Sequence, residues 1–268
     1  MPYSDHPVFD PPNDSQLVWR YMDFPKLMWI IQKEKLHFHR ADDFSDPFEG
    51  TTPKALKQLR DKSLREAQSE IDSEEVDLLK QWSKGVKNFR KSMFLNCWHA
   101  NDTESAAMWD LYGNEDKSIA IVSTIERMKD AFKETEETVY IGDLFYVDFY
   151  SDLHDIDRES EAKIARVINR TENPNAFQQI LFKRQEFSHE HEVRAVISDM
   201  SNMGDEEENS KLYFNISIDI NKLIEGIYIA PDTPSWFSQV VGNAVNESDL
   251  DLTANDVHPS RLDEDPWY

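Results

Sequence analysis

The densest group of chemically useful side chains in this sequence is Glu190-His191-Glu192-Val193-Arg194. On a strand, residues two apart share a face, so Glu190, Glu192 and Arg194 align. Two carboxylates beside a guanidinium make one ionised acceptor held in place by a cation, an arrangement suited to steadying a sugar cation. The same spacing equally suits a solvated charge ladder along an edge strand. The second group is Trp19-Arg20-Tyr21, just ahead of an expected helix. Arg20 can clamp a phosphate or carboxylate through two parallel hydrogen bonds, and the flanking rings can stack on a base. Standing alone, the tripeptide reads more simply as core packing by Trp19 and Tyr21 with Arg20 in a structural ion pair. In Asp46-Pro47-Phe48-Glu49-Gly50 the acids are able to place a substrate or a hard cation. A turn entering a helix, capped by Asp46 and anchored by Phe48, is the simpler reading.

Three alternate pairs, His37/His39, Cys97/His99 and His189/His191, offer zinc-type ligands if their strands are adjacent. No Cys-x-x-Cys or His-x3-His spacing supports that, so hydrogen-bonded or solvated histidines are expected and no metal is assigned. Cys97, between Asn96 and Trp98, reads as a small buried hydrophobe rather than a nucleophile. Lys84, Lys87, Arg90 and Lys91 form a basic stripe at helical spacing, which suits a nucleic-acid backbone, an acidic partner or, most simply, a solvated helix face. No Walker loop, dinucleotide glycine loop, zincin helix or serine elbow is present. With 7 glycines in 268 residues, bound phosphate calls for side-chain cations rather than a cradle of backbone amides.

The elements that must position these groups follow from periodicity. Phe24, Leu27, Met28 and Ile31 recur at helical spacing behind Pro25, and Leu36/Phe38 alternate with His37/His39 as in a half-buried strand. A long charged helical region is expected over 54–91, breaking near Asp72-Ser73. Strands follow at 93–98 and 118–123, with short helices at 104–112 and 125–133. Residues 138–150 are β-rich, with Gly142 marking a bend or bulge. Helices are expected over 155–171 and 175–187, strands over 192–197, 212–218 and 226–229, and an acidic loop at 204–208.

Charge and composition narrow the class. The chain carries 29 Lys+Arg against 52 Asp+Glu, a formal charge of −23, which opposes nonspecific binding to nucleic acid or to an anionic membrane. A local groove, such as one near Lys84–Lys91, remains compatible with a nucleic-acid or protein substrate. No apolar run approaches the ~20 residues of a membrane span. The N-terminus lacks the basic and apolar regions of a signal peptide, and a single cysteine forms no internal disulfide, so a cytoplasmic setting is expected.

Taken in order, the pieces resemble an uncharacterised bacterial domain-of-unknown-function family. The resemblance runs through Trp19-Arg20-Tyr21, Leu36-His37-Phe38, Phe44–Gly50, Cys97-Trp98, Met108-Trp109-Asp110-Leu111-Tyr112, Lys183 with Glu190–Arg194, and Gly226–Pro231. It spans about residues 17–237. A remoter resemblance is to ADP-ribosyltransferases, in which an early residue holds NAD and a late glutamate steadies the ribosyl transition state. That likeness implies a split sheet and NAD as substrate. It implies that Arg20, Tyr21, Trp19 and Trp98 bind the cofactor and that Glu192, Glu190 and Arg194 are catalytic. Asp46, Glu49, Trp109 and Tyr112 are expected to bind substrate.

The expectation is therefore one α+β domain over 17–247, with a mixed or antiparallel sheet, a helical insertion at 54–91, a flexible tail over 1–16 and an acidic tail over 248–268. The leading function is an NAD-dependent ADP-ribosyltransferase-like enzyme, of the toxin or phage-defence type. The alternatives are a non-catalytic binding or sensor module and a metal-dependent hydrolase or nuclease built on Asp42, Asp43, Asp46 and Glu49.

Overall fold

The computed structural model describes residues 2–67, 88–113, 117–171, 175–203 and 211–267. Its organising element is β3 (Met93–Ala100), buried along most of its length and accordingly apolar on both faces. One edge of β3 pairs without a break with β8 (Glu192–Ser198), from Met93 opposite Ser198 to His99 opposite Glu192. Beyond β8 lies β5 (Val139–Asp143). The other edge of β3 is divided between two strands. Its start pairs with β2 (Lys35–Arg40) at His39–Leu95 and Arg40–Phe94; its end pairs with β1 (Leu17–Asp23) at Val18–Ala100 and Trp19–His99. Asn96, Cys97 and Trp98 have no paired residue on that edge, and β1 and β2 fork apart there.

Outside β1 the sheet continues through β4 (Ser118–Thr124), β10 (Gly226–Ile229) and β11 (Val257–Pro259); outside β2 lies β9 (Tyr213–Ser217). Among the described strands only β10 and β11 run parallel in this sheet, while β6 (Phe145–Val147) and β7 (Phe182–Arg184) make a separate parallel pair. The fold is α+β with a mixed, mostly antiparallel sheet, as the order of elements leads one to expect.

The fork is bridged by α1 (Phe24–Lys33), which carries the chain from β1 to β2. Asp23 accepts from the Lys26 amide at 2.8 Å, Pro25 sits in the first turn, and Glu34, left-handed at φ 51°, closes the helix onto the Ile30 carbonyl. Leu27, Ile30 and Ile31 face inward. They join Val18, Phe38, Phe94, Trp98 and Val193 in one apolar layer, completed by Met128 of α4 (Ile125–Ala131) and Phe237 of α7 (Ser235–Asn246). The second layer holds Leu95 and Val196 with Leu56 of α2 (Lys54–Ala67), Val167 of α5 (Arg158–Ile168) and Phe182. Each such side chain contributes roughly 1.5–3 kcal/mol by leaving water. Two short helices, α3 (Ala106–Tyr112) and α6 (Ile220–Leu223), lie between strands.

Several expectations are corrected. The helix expected over 175–187 is instead a 3-10 turn (Ala176–Leu181), β7 and a second 3-10 turn (Gln185–Glu190), because Phe182 pairs with Phe145. The expected N-terminal tail is anchored: Val8 and Phe9 are buried, Phe9 stacks on Tyr140 at 5.2 Å, and Tyr3 bridges Val139. Gly142 makes neither bend nor bulge; it pairs in register with Arg194, and a Cβ there would stand 2.7 Å from Phe9 Cδ1. The segment after 248 contributes β11 to the sheet, and α7 fills a stretch that periodicity left unassigned. Of the expected 54–91 helix, α2 is present, while the break near Asp72-Ser73 lies outside the described residues, as do Lys84, Lys87 and the 204–208 loop. Among the described residues no helix is long and apolar enough to cross a membrane.

Candidate functional site in the forked sheet

A cavity of about 700 Å³ occupies the fork. Consecutive residues of β1 (Trp19 to Met22) and of β3 (Leu95 to His99), with His37 and His39 of β2, line it, so it reaches both faces of the sheet. Asn96 stands in the gap. Its amide donates to the His37 carbonyl at 2.8 Å, and its own oxygen accepts from Trp98 Nε1 at 2.6 Å. A buried asparagine thereby replaces the missing ladder bonds between β3 and β2 and fixes the Trp98 ring.

Arg20 projects from β1 on the same sheet face as Val18 and Met22, 5.9 Å from the Trp98 ring centroid. Its Nη1 is buried and has no hydrogen-bond partner, and no ion pair involves Arg20 among the described residues. Burial pulls its guanidinium down to about 10, which leaves it a cation at neutral pH. A buried polar atom without a hydrogen-bond partner is costly, by about 1–3 kcal/mol. Trp19 and Tyr21 flank it on the opposite face. Trp19 Nε1 donates to the Asn101 carbonyl at 2.8 Å, and the Tyr21 hydroxyl accepts from the Ser105 amide at 2.8 Å.

Across the cavity lies an alternating network of charges. Lys183 of β7 donates to Glu192 Oε2 at 2.6 Å and to Glu190 Oε2. Arg194 donates to Glu192 Oε1 at 2.5 Å, to both Glu49 oxygens at 2.6 and 2.9 Å, and to the Ile180 carbonyl at 2.7 Å. Burial alone would raise the Glu192 carboxyl. The charges of Arg194 and Lys183 overcome it and hold the group well below the usual carboxylate range. Burial likewise pushes the Lys183 ammonium down, yet Glu192 keeps it above its ordinary value. Glu192 is thus a fixed anion. Its backbone N–H donates to the Tyr146 hydroxyl at 2.8 Å, which pins the start of β8.

The predicted strand face of Glu190, Glu192 and Arg194 is corrected in one respect. His191 is left-handed at φ 38°, so β8 begins at Glu192, and Glu190 ends the preceding 3-10 turn. Lys183 nevertheless gathers both glutamates, and the Tyr112 hydroxyl donates to Glu190 Oε1 at 3.0 Å.

Two further groups on this face were not assigned to catalysis or binding from sequence. His99 pairs with Glu192 on one side and with Trp19 on the other. Its Nδ1 lies 2.6 Å from the Glu190 carbonyl, while its Nε2 is buried without a partner. Burial lowers its pKa, so the ring is neutral at pH 7. The Cys97 thiol is pushed well up by burial and then by the nearby Glu192 charge, consistent with an inert packing role.

Of the residues singled out from sequence, Glu190, Glu192, Arg20, Tyr21, Trp19, Trp98, Asp46, Glu49 and Tyr112 all line this cavity. Arg194 and Trp109 do not. Arg194 is wholly buried behind Glu192, and Trp109 packs edge-on against Tyr21 with its Nε1 on Glu104. Asp46 both caps its turn, accepting from the Phe48 amide, and pairs with Arg184 at 2.9 Å. Asp42 pairs with Arg40, so the acids of this loop are drawn to separate cations. Among the described residues no three His, Cys, Asp or Glu side chains converge as metal ligands, although His99 and His191 lie 6.0 Å apart between ring centroids. Arg90 donates to the Pro47 carbonyl at 3.2 Å, bracing that loop rather than continuing a free basic stripe. A polar residue inside an apolar strand was the available signal for Asn96; Lys183 stood with Glu190–Arg194 in the family resemblance, and nothing in the spacing marked His99 as a partner of Glu190.

Comparison with known families adds one finding. Residues 108–195 match the model of a protein family of unknown function, DUF2971. The matched stretch contains Tyr112, Lys183, Glu190, Glu192 and Arg194 and leaves out Arg20. It supports the expected kinship with an uncharacterised domain family. No curated protein and no solved structure matches the chain, and the likeness to ADP-ribosyltransferases rests on the residues alone.

Proposed function

We propose that the forked cavity binds an NAD-class nucleotide and that the protein transfers its ADP-ribosyl group. The observation that carries this reading is that one cavity, reaching both faces of the sheet, is lined by Arg20, whose buried Nη1 has no hydrogen-bond partner, and by a Glu192 carboxylate that is held ionised. The volume falls in the ordinary range for small-molecule sites, roughly 300–1,000 Å³. Arg20 takes the phosphates, the exposed Tyr112 ring offers a stacking surface, and the Glu192 carboxylate faces the ribose. As the bond from C1′ to the nicotinamide nitrogen breaks, its electron pair leaves with the ring, and Glu192 steadies the positive charge left on the sugar. Lys183 and Arg194 act through Glu192, by holding it ionised and in place.

The test is incubation with NAD, with and without nucleic acid or protein acceptors, while released nicotinamide is measured. The Glu192→Gln variant is expected to lose roughly 10²–10³-fold in rate. Arg20→Met removes a cation that has no ion pair among the described residues and keeps an apolar side chain against Trp98, so the expected result is an unchanged or higher melting temperature with weaker NAD binding. Charged hydrogen bonds contribute about 1.5–3 kcal/mol, which is about 10- to 140-fold in Kd. Equal affinity in Arg20→Met and wild type refutes the nucleotide site even where Glu192→Gln fails to fold.

One observation favours a second reading. Both Glu192 oxygens already accept from cations, which suits a module that holds a nucleotide without cleaving it. NAD binding that depends on Arg20, without nicotinamide release, identifies that case.

A further inference from the structure

We propose that His99 is the base of this site, its Nε2 accepting the proton of the hydroxyl that attacks C1′. The inference deepens the transferase reading and rests on it. Its first support is the tautomer. A carbonyl only accepts, so the 2.6 Å contact between Nδ1 and the Glu190 carbonyl places the hydrogen on Nδ1 and leaves the lone pair on Nε2. Its second is the unused valence. Nε2 is buried and bonded to nothing, although His99 lines the cavity. An acceptor kept dry and unpaired is destabilising unless a ligand supplies the donor. Its third is register. His99 stands directly opposite Glu192 on the neighbouring strand, with side chains on one sheet face, so acceptor and anion are about 5 Å apart at their Cβ atoms.

The step balances without any further reagent. The bond from C1′ to nicotinamide breaks with its electron pair leaving on the ring nitrogen. The oxygen of water or of an acceptor hydroxyl forms the new bond to C1′. Its proton passes to Nε2, giving an imidazolium that later returns the proton to solvent. The Glu190 carbonyl, bonded to Nδ1–H, orients the ring and stabilises that cation.

The charged and titratable groups around the ring are Tyr21 of β1, Glu192 of β8, and His189, Glu190 and His191 of the turn before β8; Lys183 and Tyr112 contact Glu190. Burial leads this balance and lowers the pKa, so the base form prevails at neutral pH and is lost on acidification.

The decisive variant is His99→Asn, whose amide keeps a donor toward the Glu190 carbonyl and removes the base. The expected result is NAD affinity within about threefold of wild type, nicotinamide release reduced roughly 10²–10⁴-fold, and loss of the acidic limb of the pH–rate profile. Wild-type turnover and an unchanged acidic limb in this variant overturn the proposal while leaving the transferase reading intact. A wild-type protein that binds NAD without releasing nicotinamide overturns both. Nitrogen-15 spectra of the wild-type imidazole test the tautomer independently of folding in any variant. Nδ1 protonated and Nε2 bare at pH 7, with Nε2 shifting when NAD is added, supports the assignment; a proton on Nε2 overturns it.

Discussion

Removing the Glu49 charge is the sharpest test of how the network beneath the cavity is held. Arg194 is fully buried, and Glu49 meets it with both oxygens, at 2.6 and 2.9 Å. Glu49→Gln preserves the shape of the side chain but turns one acceptor into an amine facing a group that only donates. The guanidinium keeps Glu192 and the Ile180 carbonyl, yet one charge-assisted bond is lost and a donor is set against a donor. Breaking a buried pair from one side costs about 3–5 kcal/mol. For a chain of this size each kcal/mol moves the melting temperature by about 2–4 °C, so a fall of about 6–20 °C is expected. Urea denaturation gives the same quantity through its midpoint, provided the slope is unchanged. The exposed pair Lys57–Asp61, at 3.3 Å, is the control: Asp61→Asn is expected to cost less than about 0.5 kcal/mol. A loss below about 1 kcal/mol in Glu49→Gln refutes the reasoning, because Arg194 would then be satisfied without Glu49.

Three further outcomes follow from the same structure. Glu192 is depressed in the folded state, so its stabilisation is fully present above its ordinary value of 4.5 and is lost as pH falls below it; Lys183 is raised, so its share holds below 10.5 and is lost at higher pH. Stability measured by urea titration is therefore expected to depend little on this network between about pH 5 and 10, and a sharp loss near neutrality attributable to these residues contradicts the assignment. Gly142→Ala sets a methyl 2.7 Å from Phe9 Cδ1 and is expected to cost about 1–3 kcal/mol, with Phe9→Leu restoring part of it; additive losses in the double variant refute the contact. The Cys97 thiol, pushed up by burial, is expected to react with a thiol reagent far more slowly in native protein at pH 8 than in urea, and equal rates count against its inert role.

Local pattern carried much of the fold. Pro25 in a first turn and apolar residues three and four apart defined α1, and alternation defined β2 and β8, because these periodicities depend only on which face meets the core. Periodicity misread 175–187. A run rich in Gln and Phe, with Ile180 and Leu181, fits a helix locally, but pairing of Phe182 with Phe145 holds its middle extended. The tails were misread for the same reason: Val8, Phe9 and the 257–259 strand are ordered by distant partners, and composition is blind to those.

The candidate site divides along the same line. Residue type alone nominated Arg20, Glu190, Glu192 and the aromatic residues, since charge, hydrogen-bonding capacity and ring surface belong to the side chain itself. Tertiary structure decided which of them meet. Arg20 and Glu192 line one cavity from opposite faces of the sheet because β1 and β2 share one edge of β3 and diverge along it, leaving Asn96 to Trp98 unpaired on that edge and a hollow between the strands. It also decided protonation. The ionised Glu192, the unpaired Arg20 and the bare Nε2 of His99 depend on burial and on neighbours up to 145 positions away along the chain in the same network, distances at which local sequence carries no signal.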